Sequence, residues 1–405
     1  MPSSKHTAWL AVLATCSSAA CGGATSQPTA TVADSAGVAI VYSVAPSWGT
    51  DAEAVLSTSP RSELTTDPAD PASVLYQVTG VAVLPDGRVA ISNRGDGTVR
   101  LYDGSGALLW KAGRPGDGPD EFRDLRGLVR RGDELWAFQT LPRPVKVFDL
   151  DGKFLRAVST PEVSGPRFRG ILGDESLVVV GRPEGSSADR VFTQFTILAR
   201  FSEGVTDTIA ELGFARLVNL SLGPEWQALG PALHVAVSDT RIYAGFSSDW
   251  DIGVWDGSGR LVQRIRRIWD PAPITSSHRA AYAESLIEQG RGEPRFEEAF
   301  RTLADEMIYP DSHPAHARLI VDATGVLWVE RPQTEPPWSE SIDYNRVPAH
   351  PGEWDLFAAD GAWLGSVRVP ARFRVMDIGP DYVAGVSKDA LDVERVQVWD
   401  LHRPG

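Results

Sequence analysis

Cysteine is nearly missing from this sequence: Cys16 and Cys21 are the only two among 405 residues. Both lie close to the start, so no disulfide can staple the rest of the chain, and stability has to come from a large apolar core. Long hydrophobic runs are missing as well. No eighteen consecutive apolar residues occur, which sets aside a membrane-spanning helix. Positive charge is in deficit, with 39 Lys and Arg against 53 Asp and Glu and a formal net charge of −14. A chain this acidic repels phosphate backbones, so nucleic acid is not expected as a partner. Several catalytic signatures are also lacking. There is no Gly-x-Ser-x-Gly elbow for a hydrolase nucleophile, no Gly-Lys-Ser/Thr phosphate loop, and no carboxylate pair whose spacing alone suggests acid–base work. No cofactor or metal is expected from any motif.

What is present begins with a leader. Lys5 and His6 precede the short apolar stretch 8–14, and Ser18-Ala19-Ala20-Cys21 comes after it. Small residues before a cysteine resemble a bacterial lipobox, in which the cysteine carries the lipid; this implies a signal peptide over 1–20 and Cys21 as the attachment point. Ser18 stands where an aliphatic residue is commoner. Leu13-Ala14-Thr15-Cys16 is a rival site, and an ordinary secretory signal is a third possibility. Residues 21–35 are small and polar and read as a flexible tether. The folded domain is expected over 36–405.

That domain is rich in punctuation. The 38 glycines and 29 prolines make about 17% of the chain, against about 12% in an average protein. Between 80 and 112, apolar runs of four or five residues alternate with Pro85-Asp86-Gly87, 93–97 and 103–106, giving four short strands joined by tight turns. The pattern returns. Hairpin glycines at Gly104, Gly152, Gly204, Gly257 and Gly361 are 48, 52, 53 and 104 residues apart, the last gap spanning two units. A period near 50 means one four-stranded unit repeated. Third strands end in an aromatic and an aspartate at Tyr102-Asp103, Phe148-Asp149, Trp255-Asp256 and Trp399-Asp400, with a looser copy at Phe357–Asp360. The aspartate is expected to accept backbone N–H bonds in the turn. The Gly-His partner of WD repeats is absent and the period is too long for them. Runs such as Val81-Ala82-Val83-Leu84 and Leu177-Val178-Val179-Val180 are apolar on both faces, as in strands sandwiched between other sheets.

The expected fold is therefore all-β, a six-bladed β-propeller. The last unit supplies only three strands, and the lone strand 37–43 has no unit of its own, so the latter is expected to complete the final blade and remove an open edge. A helical insert is expected over 276–309. Within it Phe296, Phe300, Leu303 and Met307 recur on one helical face and should bury against something.

The stretch Gly113-Arg114-Pro115-Gly116-Asp117-Gly118-Pro119-Asp120-Glu121-Phe122, the Asp-Gly turns and the closing unit from Phe373 to Val396 resemble the NHL-repeat-like six-bladed propellers of bacterial lipoproteins. Asp120 replaces a glycine common in that loop. The resemblance spans about residues 36 to 402 and implies the fold without implying a reaction.

Candidate ligand contacts come from loops and inner strand ends. Arg94, Arg114, Asp117, Asp249, Trp250, Glu330 and Arg331 lie on loops facing one side of the ring, where binding usually resides on a rigid scaffold. Arg126 and Arg169 are candidates near innermost strands; with His234 and Arg318 they would form a cationic axial set, poor for calcium or zinc, and His234 reads as a packed polar residue rather than a ligand. The glycine-rich loop 113–122 either cradles an anion or connects two units. Asp311, His313 and His316 fall within six residues, but Pro310 and Pro314 place them in a loop rather than at helical metal-ligand spacing. The function expected is that of an exported, lipid-anchored envelope protein, facing periplasm or cell surface, that binds an unidentified protein or small molecule. The alternative is a propeller lyase or hydrolase with an axial active site.

Overall fold

The computed structural model describes residues 29–67, 69–70, 73–161, 167–182, 184–338 and 347–404. The leader, Cys16 and Cys21 lie outside them. The described chain is mostly β, and its strands sort into six sheets.

The first sheet runs Val78–Val83, Val89–Asn93, Thr98–Tyr102 and Leu108–Ala112, each strand antiparallel to the next. Its first three strands are buried at every position, while the fourth is largely open to solvent. This is the origin of the unbroken apolar runs in the sequence: both faces of an inner strand are covered, so neither needs polar residues. The second sheet spans Leu125–Arg131 to Phe154–Val158, and the third begins at Arg167–Ile171 and extends into a long hairpin of Val191–Ser202 and Val205–Leu220. The fourth starts at Leu233–Val237, the fifth at Leu319–Val321 and the sixth at Phe373–Ile378. Aspartates close the hairpins as expected. Asp103 accepts from the Ser105 and Ala107 amides at 2.8 and 2.9 Å, and Asp149, Asp256 and Asp360 likewise accept from amides of their own turns. Asp400 differs, because it lies inside the strand Glu394–His402 and pairs with Arg61 at 3.2 Å.

Each sheet is bonded to the next. Thr79 donates to the Leu125 carbonyl, Arg131 to the Leu172 and Gly173 carbonyls, and the Gly173 amide to Asp239. Arg241 donates to Ala359, and the Ala323 amide to Ile378. The sixth sheet returns to the first: the Val83 amide donates to Asp377 and the Val78 amide to Glu394, both at 2.8 Å.

Two expectations need correction. Strand Val38–Ser43 does not complete the last sheet; it pairs in parallel with Leu261–Arg267 on the outside of the fourth. Val41 is buried there, and the Ser43 hydroxyl accepts from the Trp363 amide of the fifth sheet at 3.1 Å, so the strand wedges between two sheets. The last sheet is completed instead by Val55–Leu56 and Ser62–Leu64, both antiparallel to Glu394–His402. Ala30–Ser35, read as the end of the tether, forms a hairpin strand against Val38–Ser43.

Helices α1 (Ser276–Gln289) and α2 (Pro294–Glu306) form the insert between the fourth and fifth sheets. Thr275 caps α1 by accepting from the His278 amide. The excursion leaves and returns through a bonded neck, Ile274 N–H to Asp311 and His313 N–H to Ala272, both at 2.9 Å. At the far end the Glu306 carboxylate accepts from the Ser221 amide at 2.6 Å, which ties α2 to the third sheet. Phe296 is 58% exposed and does not bury, contrary to the one-face expectation for α2.

Candidate ligand cavity

The first strands of the sheets converge, and residues at their ends meet under the helices. His234 opens the first strand of the fourth sheet, Arg318 precedes that of the fifth, and Arg374 sits in that of the sixth. All three line a cavity of about 420 Å³. Its roof is Tyr282 and Leu286 from α1 with Phe300, Leu303 and Met307 on and just after α2. Phe214, Trp226 and Gln227 of the third sheet close one side; Glu330, Gln333 and Trp338 close another. An apolar cavity with a few convergent polar groups is the usual form of a small-molecule site.

The electrostatics of the floor are set by burial. Burial raises the Glu330 carboxyl above its ordinary range, opposed by the neighbouring Arg318 charge and by a bond from the Arg318 backbone. The His316 imidazole is lowered to about 4 by burial. His234 lies well below its ordinary value through burial and then the His316, Arg169 and Arg318 charges. The His234 and His316 rings meet edge to face at 5.4 Å. At neutral pH the floor thus holds neutral imidazoles and arginine, beside a carboxyl that burial raises above its ordinary range. His313 also lines this cavity but has other ring neighbours. Its ring stands 5.3 Å from His278 and beside Trp338, and burial followed by the His278 charge lowers it to about 4. The two histidines flagged in the sequence therefore serve separate neighbours. Among the described residues no group of three or more His, Cys, Asp or Glu is arranged to hold a metal ion.

A second cavity of about 550 Å³ shares His313, Pro314, Arg331, Pro332 and Gln333 with the first. Its floor is an ion-pair network. Asp355, almost fully buried, accepts from Arg267 and doubly from Arg331, and Arg331 also pairs with Glu353 at 2.9 Å.

Of the residues singled out in the sequence, Glu330 lines the first cavity, Arg331 both, and Trp250 the second. Arg169 acts electrostatically on His234, whereas Asp249 is exposed beside Ser248. The others gather elsewhere, at the junction of the first two sheets. Arg94 and Arg126 both pair with Asp124 at 2.7 Å, Arg114 with Glu121 at 2.6 Å, and Asp117 with Arg123 and Arg143. Loop 113–122 joins the first sheet to the second, and inside it the Glu121 carboxylate accepts from the Gly118 amide at 2.8 Å. Trp226, Gln227 and Trp338 were not singled out in the sequence. No local motif marks them, since their relation to the inner strands exists only in three dimensions.

No known family profile matches the chain, and no curated protein matches it in sequence. Solved structures do. A member of the DUF4221 family from Bacteroides vulgatus superposes with a TM-score of 0.51 at 9% identity, over 87% of this chain and all of that one. A Bacteroides fragilis protein described as exported gives 0.46 at 13% identity, over 90% and 99%. Virginiamycin B lyase from Staphylococcus aureus, solved with quinupristin, gives 0.40 at 10% identity, over 86% and 99%. At these identities the likeness concerns the fold.

Proposed function

We propose that the six sheets are the blades of an NHL-like β-propeller, that Cys21 carries it as an exported lipoprotein of the cell envelope, and that it works as a binding module. Its ligand is a small molecule held in the cavity under α1 and α2. The cyclic chain of sheet-to-sheet bonds supports the ring. The observation that carries the binding reading is the roofed cavity, where helical apolar side chains and inner-strand polar groups face one volume. The test replaces residues 276–309 by a short Gly/Ser loop. Native mass spectrometry of protein recovered from its own membrane should find a bound small molecule on the wild type and none on the roofless variant, with both keeping a cooperative β melt. No adduct on the wild type, or an equal adduct on both, refutes the proposal.

A second reading, an enzyme, is favoured by one feature: Glu330 and His234, displaced in opposite directions, face the same cavity. Glu330→Gln separates the two. A binding module keeps the same bound mass, whereas an enzyme accumulates a different one, the unprocessed substrate.

A further inference from the structure

We infer that the ligand of this cavity is an organic carboxylic acid with an extended apolar or aromatic body, its carboxylate on Arg318 and its body against α1 and α2. The inference rests on reading the cavity as the ligand site.

Charge is the first ground for it. Arg331, on the same wall, is engaged by Glu353 and Asp355. Arg318 makes no ion pair among the described residues; its guanidinium donates to the Val375 carbonyl at 2.6 Å and lies 5.5 Å from the Trp354 ring. The nearest carboxyl is its cross-strand neighbour Glu330, whose amide donates to the Arg318 carbonyl at 2.9 Å; its carboxylate forms no ion pair with Arg318, and burial raises it above its ordinary range. A partly buried cation without an ion-pair partner is costly, and a ligand carboxylate supplies that partner together with a charge-assisted bond. Glu330, when protonated, adds an O–H donor to the same oxygens.

The roof over this charge is apolar: Leu286, Phe300, Leu303 and Met307. A small hydrophilic anion would leave these uncovered, and a pure hydrocarbon would leave Arg318 uncompensated. A volume of about 420 Å³ lies within the range that holds a body of one or two rings or a medium-length chain.

The experiment titrates the full chain, held in a neutral maltoside, with 2-naphthoate and with the uncharged isostere 2-naphthamide by calorimetry. Naphthoate should bind about 10- to 100-fold more tightly, the span that a charged hydrogen bond gives. Arg318→Gln should shrink that gap to about twofold while leaving naphthamide affinity unchanged, and Arg318→Lys should restore part of it. Leu303→Trp, which fills the cavity, should weaken both probes. Equal binding of the two probes, or a gap that survives Arg318→Gln, overturns the acid class; sensitivity of naphthamide to Leu303→Trp would then still support the cavity as a site. If neither probe binds, or if naphthamide ignores Leu303→Trp, the cavity reading falls as well.

Discussion

His313 is buried between α1 and the rim of the cavity, with His278 and Trp338 as ring neighbours and Glu335 about 4.0 Å from His278. Its folded value of about 4 lies below the ordinary 6.5. Between those two values the unfolded chain binds the proton and the folded chain does not, so stability is complete above about pH 6.5 and is lost as pH falls toward 4. Glu330 and Asp377, raised by burial, work in the opposite sense. The informative quantity is therefore a difference. Thermal melts at pH 7 and pH 4 should show a smaller acid-induced loss in His313→Gln than in the wild type; an equal loss would mean that His313 does not drive it. Cys21 makes a second prediction at this scale. Cys21→Ala should move the protein from the membrane to the soluble fraction and Cys16→Ala should not, as read by fractionation and immunoblot, the reverse outcome favouring the rival site. Glu330 and Arg331, which line the cavity, could be picked out as candidates because strand ends on a repeat can be counted, whereas His234 reads from sequence as a packed polar residue. Arg94, Arg114, Asp117 and Arg126 looked equivalent on that basis. In the fold Arg94 and Arg126 meet Asp124, Arg114 meets Glu121, and Asp117 meets Arg123 and Arg143, contacts that no spacing rule anticipates.

At the level of elements, the strands and both helices were legible, since period-two runs, turn residues and the α2 spacing are local signals. Partners of the outlying strands were not. Val38–Ser43 and Ser62–Leu64 are both short segments ahead of the first sheet, and only packing decides which of them joins which sheet. Leu64 is 3% exposed and packs with Val386, Val396 and Val398 of the sixth sheet and Val81 of the first, whereas Val55 is 59% exposed. Leu64→Ala should cost about 2–5 kcal/mol, and Val55→Ala should stay within about 0.5 kcal/mol, as measured by chemical denaturation. A small effect at Leu64 would mean that this strand does not hold the sixth sheet. The same packing logic explains Phe296. Its spacing fits the apolar face of α2, but it sits on the first turn of the helix, beyond the reach of the cavity that takes Phe300, Leu303 and Met307.

For the whole molecule, the bonds between the sixth sheet and the first join distant parts of the chain. Glu63 bonds Arg395 and Gln397, partners 332 and 334 residues further on, and the Val78 amide waits for Glu394, 316 residues away. A repeat read from sequence leaves the seam between its last and first units open, because there, as where Val38–Ser43 meets Leu261–Arg267, neighbours in space are not neighbours in the chain. That seam also sets a clock. At about 5–20 residues per second, roughly 17–66 s of synthesis separate Ser62–Leu64 from its partner strand. In sheets one to five the strands find one another within short stretches of chain and can pair as they emerge, except that Val38–Ser43 waits for Leu261–Arg267. The first sheet must hold one flank open throughout that interval, with the Val83 amide and the side chain of Leu64 lacking their mates. The delay belongs to the topology, whatever residues build the strands, and it makes the growing chain, rather than the finished fold, the form most in need of protection from its own kind.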